Sequence, residues 1–281
     1  MVEVLKAGLY DTIQDVGRFG CQEFGVPMSG VMDQYSAALA NSILGNPIND
    51  AVMESVVVGP YLKFNQQTAL CISGADMNAR LNDLEIKTNI AYPVKSGDIL
   101  KLGSCNYGCR SYVAVLGGFQ TEFEMGSRSM YEGITASHKL NKGAMLPILK
   151  RSNCVLDSYA SVKIDVHHFE TQELEVYKGA EFEKLDEIQQ QKVMSLKYSI
   201  SKDSNRMAYL LNETIDNSLK DIITSLVLPG TVQLTPSGQL IILMRDCQTT
   251  GGYPRILQLT KNSINRLSQK FTSNNISFKC I

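Results

Sequence analysis

Residues 232–252 read VQLTPSGQLIILMRDCQTTGG. A short run, Thr231–Leu234, meets Pro-Ser-Gly at 236–238, and an apolar run, Gln239–Met244, follows. Proline and glycine around a serine are turn chemistry, so the stretch predicts two strands joined as a hairpin. The second strand then opens into CQTTGGYPR at 247–255. Paired glycines let a backbone approach a ligand closely, and an arginine supplies a rigid fork for a carboxylate or phosphate. A plain turn needs one glycine and gains little from paired threonines, so this strand end is read as a ligand site.

Working outward, similar short runs rich in β-branched residues recur at Val2–Leu5, Ser55–Val58, Ala69–Ser73, Ile99–Leu102, Ser111–Leu116 and Ser161–Val166. They predict a mainly β chain. Helices are few. One is expected from the N-cap Asp33 to Gly45, where Pro47 prevents continuation. Others are expected over 182–196 and 262–270, from apolar residues near helical spacing. The polar stretch 150–160, KRSNCVLDSYA, suggests a boundary between an N-terminal β-rich half, 1–155, and a C-terminal one, 156–281. Residues 100–118, LKLGSCNYGCRSYVAVLGG, echo 232–252 as strand, turn, strand and Gly-Gly, which raises a duplicated barrel as an option.

The bulk numbers exclude several classes. The chain has 281 residues, 44% hydrophobic and 20% charged, with net charge −1. Such a chain buries an ordinary core, and no basic field advertises nucleic acid or an anionic membrane. The first residues lack a cationic start and an apolar segment of the secretory kind, and no apolar run spans a bilayer. Seven scattered cysteines suit reduced thiols, so a cytoplasmic location is expected.

Standard catalytic templates are missing. There is no phosphate-binding G-x-x-x-x-G-K-[ST], no G-x-G-x-x-G after a strand, no H-E-x-x-H and no G-x-S-x-G. No recognised metal-ligand spacing occurs, and His167-His168 reads as a solvent-facing strand end. Cys105 and Cys109 read as incidental thiols about a turn. What remains are Gly-rich polar clusters at strand ends: Gln14-Asp15-Val16-Gly17-Arg18, Gly30-Val31-Met32-Asp33, Ser73-Gly74-Ala75-Asp76, Gly126-Ser127-Arg128-Ser129 and Gln248–Arg255. Hydroxyls and exposed N–H groups in such turns can cradle an anion. Each has a structural alternative: Asp33 as a helix cap, Asp76 as an acceptor of turn N–H groups, the glycines as turn formers. Glu54, among apolar strand residues, either faces solvent or must be paired.

Taken in order, GLYDTIQDVGRFGCQEFGVPMSGVMD, ISGADMNARL, VLGGF, GSRSMY, SNRMAY and QTTGGYPRI resemble the allophanate hydrolase subunit 2 family. That family includes the C-type component of bacterial 5-oxoprolinase and the carboxyltransferase region of urea carboxylase. The resemblance implies a cyclophilin-like β-barrel architecture. It also implies work in a complex with a sister subunit of similar fold (the B-type component of 5-oxoprolinase) and a third subunit (the A-type component). The implied reaction is ATP-dependent opening of the 5-oxo-L-proline lactam to L-glutamate, a hydrolase activity absent from the chain alone. Its chemistry needs cations for the phosphoryl group and carboxylates to hold Mg²⁺ or orient water. Arg18, Arg128 and Arg255 are candidates for the first role, and Asp15 and Asp76 for the second. Gln14, Gly30, Asp33, Gln248, Thr249, Thr250, Gly251, Gly252 and Tyr253 are candidates for substrate contact. Asn205 stands where family members carry an aspartate, which leaves Arg206 as an anion or structural contact. Two alternatives stay open: a carboxyltransferase subunit using biotin on urea or another small amide, and a non-enzymatic regulator (a kinase-inhibitor antagonist) that binds its sister subunit.

Overall fold

The 232–252 stretch folds as its turn chemistry requires. Strands Thr231–Leu234 and Gln239–Leu243 pair antiparallel, with Val232 opposite Ile242 and Leu234 opposite Leu240. Gly238 closes the turn at φ +83°, a conformation that strains any other residue, and its N–H donates to the Thr235 carbonyl. The computed structural model describes residues 1–150, 162 and 165–281. The chain forms two units: Met1–Arg18 with Ser29–Asp165, and Phe19–Met28 with Val166–Ile281.

In the second unit the hairpin supplies two neighbouring strands of a seven-stranded sheet. Its order is Tyr198–Ser199, Asn275–Cys280, Glu173–Lys178, Arg255–Leu259, Thr231–Leu234, Gln239–Leu243, Ala208–Thr214. A bridge between Ile200 and Leu211 joins the first strand's continuation to the last strand, so the sheet nearly closes into a barrel. Closure removes the exposed edges that an open sheet would present. Leu174, Val176, Leu211, Val232, Leu234, Leu240 and Ile242 are fully buried. The neighbours Glu173–Lys178 and Asn275–Cys280 run parallel. Helix Lys261–Ser268 starts at Thr260, whose hydroxyl accepts from the Ser263 N–H at 3.1 Å.

The first unit holds a six-stranded and a five-stranded sheet. Val4, Leu62, Phe64 and Leu100 of the one share a core with Ile13, Leu70, Ile72 and Val113 of the other. Strand Thr68–Asp76 is buried along nearly its whole length because both its faces are covered. Its side chains alternate in size: Leu70 and Ile72 enter the shared core, while Ala69 and Cys71 meet helix Gln34–Ile43 through Ala37 and Ala40. Small residues on that face let the helix backbone lie close to the sheet.

The mainly β, barrel-forming expectation holds, with four α-helices among the described residues. Several details differ. The 182–196 helix is split into a 3₁₀ turn, Phe182–Lys184, and helix Glu187–Ser195, because Leu185 is extended and Asp186 starts a new capping box with Gln189. His167-His168 belongs to a short helix, His167–Glu170, with His168 buried, and not to an exposed strand end. Most of the expected strand 161–166 and all but Lys150 of the proposed boundary at 150–160 lie outside the described residues. The units divide after Asp165, and Phe19–Met28 groups with the later one. The internal echo is not a repeat. Strands Thr231–Leu234 and Gln239–Leu243 pair with each other, whereas Ile99–Lys101 and Tyr107–Val115 belong to different sheets. Among the described residues no helix is long and apolar enough to cross a membrane.

The barrel's dependence on its hairpin is measurable. Ile242→Ala leaves a void opposite Val232 and is expected to lower unfolding stability by about 2–5 kcal/mol. Urea titration followed by circular dichroism reads this directly. A loss below about 1 kcal/mol would show that Ile242 is not part of a close-packed interior.

Candidate functional site

Three of the sequence clusters meet at one residue, Asp15. Asp15 follows strand Tyr10–Gln14 and is buried. Its Oδ1 accepts from the Gly17 N–H at 2.9 Å, the Ser127 hydroxyl at 2.6 Å and the Ser129 hydroxyl at 2.7 Å. Its Oδ2 accepts from the Arg128 N–H at 2.7 Å. The Asp15 carbonyl accepts from the Val31 N–H at 2.9 Å, drawing in the 30–33 loop. Gly30 sits at φ +90°, and a Cβ there would lie 2.9 Å from the Gly17 nitrogen and the Val16 carbonyl oxygen. Glycine is therefore required by the close approach of two backbones. Arg18 is 1% exposed and donates to the Ser129 carbonyl. Gln14 donates to the Thr12 hydroxyl at 3.1 Å and the Met130 carbonyl at 3.2 Å. Arg128 directs its fork to the Thr121 carbonyl and to Gln120 Oε1, and lies over the Phe123 ring. Beside this knot is a cleft of about 120 Å³, with Asp15, Val16, Val31, Gln34, Asn41 and Asp50 among its walls.

The 30–33 loop is fastened from beneath by a buried polar group. Glu54 accepts from the Met32 N–H at 2.7 Å and lies 3.7 Å from Arg110 Nε, while the Asp33 N–H donates to the Tyr112 hydroxyl at 2.8 Å. Burial, reinforced by Glu54 and Asp33, pushes the Tyr112 phenol well above its ordinary value. Glu54 is thus the buried, paired alternative. Asp33 is the N-cap of helix Gln34–Ile43, accepting from the Tyr35 and Ser36 N–H groups. Asp76 takes the turn role: it accepts from the Asn78 N–H and the Asn106 amide, both at 3.0 Å. It does not join the Asp15 knot through any of these bonds.

In the second unit the 247–255 stretch is held along its length. Thr250–Gly251 pairs with Ser225–Leu226, the Thr249 carbonyl accepts from the Val227 N–H, and the Gly252 carbonyl accepts from the Ile222 N–H at 2.8 Å. A Cβ on residue 251 would lie 2.6 Å from Gln233 Nε2, whose amide donates to the Tyr253 carbonyl at 3.3 Å. The expected anion fork at Arg255 is occupied from within. Its Nε and NH2 reach Glu181 Oε2 and Oε1, both at 3.0 Å, and its NH1 donates to the Ser225 hydroxyl at 2.5 Å. Arg206 is likewise bidentate on Asp246, at 2.8 and 3.1 Å. It is a structural contact.

Gln248 and Thr249 do reach a small pocket of about 20 Å³, together with Gln22, Val227, Cys247 and Arg245. Burial pushes the Cys247 thiol up to about 12, so it is no ready nucleophile. Arg245 is absent from the sequence-based candidates. Its signal was its position, a cation closing a buried apolar run immediately before the motif. Each unit offers a cleft whose walls are mainly apolar, with a few polar side chains among them. Among the described residues no three His, Cys, Asp or Glu side chains gather as a metal site.

A family model described as carboxyltransferase domain, subdomain A and B, matches residues 24–280. The chain is 31% identical over 278 residues to the C-type component of 5-oxoprolinase from Escherichia coli (strain K12), covering 96% of this chain and 87% of that one. It is 42% identical over 130 residues to urea amidolyase of Lachancea kluyveri, covering 46% of this chain and 7% of that protein. The solved structure of the K. lactis urea amidolyase matches with a TM-score of 0.88 at 25% identity, over 100% of this chain and 18% of that one. This chain therefore spans most of the 5-oxoprolinase relative and a small part of either amidolyase.

The Glu181–Arg255 pair has a defined pH signature. Arg255's hydrogen bonds hold the Glu181 carboxyl below its ordinary value of 4.5. A depressed carboxylate stabilises the fold fully above the unfolded value, and the contribution is lost as pH falls through the folded value. Arg255→Lys keeps the charge and loses the bidentate fork, so it is expected to lower stability by about 1–3 kcal/mol at neutral pH. Denaturation at pH 7 and at pH 3 tests this. The deficit should shrink at the lower pH, and an equal deficit at both would rule out the pair as its origin.

Proposed function

Because the chain belongs to the carboxyltransferase domain family, subdomains A and B, we propose that it is the C-type component of an ATP-dependent 5-oxoprolinase. The complex opens the lactam of 5-oxo-L-proline to L-glutamate. The carrying observation is the match to the Escherichia coli C-type component along 96% of this chain and 87% of that protein. The proposal places the chain in the cytoplasm, with a sister subunit of B type and a third subunit of A type as partners.

A lactam carbonyl is a poor electrophile, and ATP supplies the activation by phosphorylating its oxygen before water opens the ring. Among the described residues, Asp15, Asp76, Arg128 and Arg255 do not fit ATP or Mg²⁺. Asp15 already accepts from four donors, Asp76 accepts from Asn78 and Asn106, and the Arg128 and Arg255 forks are occupied. Under the proposal, nucleotide and metal belong to the partner subunits. This chain contributes the walls and polar strand ends that receive and orient a small amide and keep water from it.

A second reading, carboxyl transfer from biotin to a urea-like amide, draws on the 42% identity over 130 residues to the Lachancea kluyveri urea amidolyase. The same clefts would receive the ureido group.

Purification of the chain alone and with its two partners separates the readings. Alone it should release no glutamate from 5-oxoproline. The complete complex should release glutamate only when ATP is present. Turnover by the isolated chain, or ATP-independent turnover by the complex, would overturn the assignment. Carboxylation of urea on adding biotin carboxylase and a biotin carrier would favour the second reading.

A further inference from the structure

Residues 222–227 lie along the 247–255 stretch as a strap. The Ile222 N–H donates to the Gly252 carbonyl at 2.8 Å, Ser225 and Leu226 pair with Gly251 and Thr250, and the Val227 N–H donates to the Thr249 carbonyl at 3.2 Å. One side chain of the motif joins in: Arg255 NH1 donates to the Ser225 hydroxyl at 2.5 Å and to the Leu226 carbonyl at 3.3 Å. A Cβ on residue 252 would lie 3.2 Å from the Ile222 carbonyl oxygen, so glycine lets the strap settle there. Apolar packing contributes little. From Asp216 to Leu226 no residue is buried, and Val227 is the first that is. Ile223, Leu226 and Leu228 are exposed, so their apolar area does not hold the segment down. Both ends are tied: the Asn217 amide donates to the Thr235 carbonyl at 2.8 Å, and the Leu228 N–H donates to the Thr231 hydroxyl at 3.2 Å. A segment with fixed ends and few buried side chains between them opens at lower cost than the barrel that carries it.

We propose that residues 220–227 are an autoinhibitory strap: closed, they occupy the backbone edge of Thr249–Gly252, and opened, they release that edge to a ligand. The N–H and C=O groups engaged by the strap are those that the strand end has to offer a small amide, whose own C=O and N–H are their complement. The inference rests on the reading under which this strand end receives such an amide. Strap and ligand compete for one edge, so the affinity the chain displays is its intrinsic affinity scaled by the fraction of open straps. Arg255, anchored on Glu181, is the latch.

Amide hydrogen exchange on the purified chain reads the strap directly. Peptides covering 220–227 should exchange about tenfold faster, or more, than those covering the 231–243 hairpin. Ser225→Ala removes one bond to the latch and should speed exchange of the strap by about 2–10-fold, leaving the hairpin unchanged. A strap as well protected as the hairpin overturns the inference. The second arm ties the strap shut. Leu226→Cys with Thr250→Cys puts thiols on directly opposed residues of an antiparallel pair, a spacing that a disulfide spans. In the complete complex the oxidised double variant should lose most of its ATP-dependent glutamate release and regain it on reduction, relative to wild type carried through the same steps. Equal activity of the oxidised and reduced forms means that the strap need not open, and the inference fails. An inactive wild-type complex counts against the lactam-hydrolase reading and not against the strap. In that case, or if the reduced double variant is itself inactive, exchange alone decides: fast exchange that Ser225→Ala accelerates supports the strap, and protection equal to the hairpin's overturns it.

Discussion

Asp15 has two carboxylate oxygens and four donors, and three of those donors come from residues 112 to 114 positions further along the chain. A buried carboxylate is tolerable only when its lone pairs are filled, so the Gly126–Ser129 turn and the Gly17 turn must both be in place. The 30–33 loop then closes over them through the Asp15 carbonyl and the bare Cα of Gly30. Helix Gln34–Ile43 begins from that loop, and its small face settles on Ala69 and Cys71. The polar knot therefore sets where an apolar layer can form, which reverses the usual order in which a core positions its polar trimmings.

The second unit solves a similar problem with arginines. Arg255 is bidentate on Glu181 and Arg206 on Asp246, so both forks that the sequence offers to a ligand are turned inward. Buried ion pairs contribute little net stability relative to apolar packing, yet removing one partner is severe. Their value here is geometric. Each pins a loop end to the barrel: Arg255 holds Glu181 and Ser225 together, and the Arg206 pair fixes the residue next to Arg245. Charges that look functional in a motif are thus part of the frame.

How much of this could be read from the sequence depends on the range of the interaction. The 232–243 hairpin and the Asp33 cap were legible because their determinants lie within a few residues: Gly238 for the one, the Tyr35 and Ser36 N–H groups for the other. The β-rich architecture followed from many such local signals. The split at Leu185 was missed because periodicity alone does not register a capping box at Asp186. The Asp15 knot was visible only as separate Gly-rich clusters, since nothing local pairs Asp15 with Ser127 and Ser129. Arg255 was credited with a free fork because Glu181, 74 positions away, carries no mark of being its partner.

The parallel pairing inside the barrel bears on how the chain is made. Strand Asn275–Cys280 lies between Glu173–Lys178 and Tyr198–Ser199, two strands that leave the ribosome much earlier. Until residue 280 has been translated, Glu173–Lys178 can pair with Arg255–Leu259 but lacks its parallel neighbour, and the cylinder has a gap one strand wide. Among the described residues, the strands of the earlier unit are complete by Leu146. Synthesis therefore finishes the first unit's strands while the second still waits for its last one, and an incomplete barrel exposes apolar surface until that strand arrives.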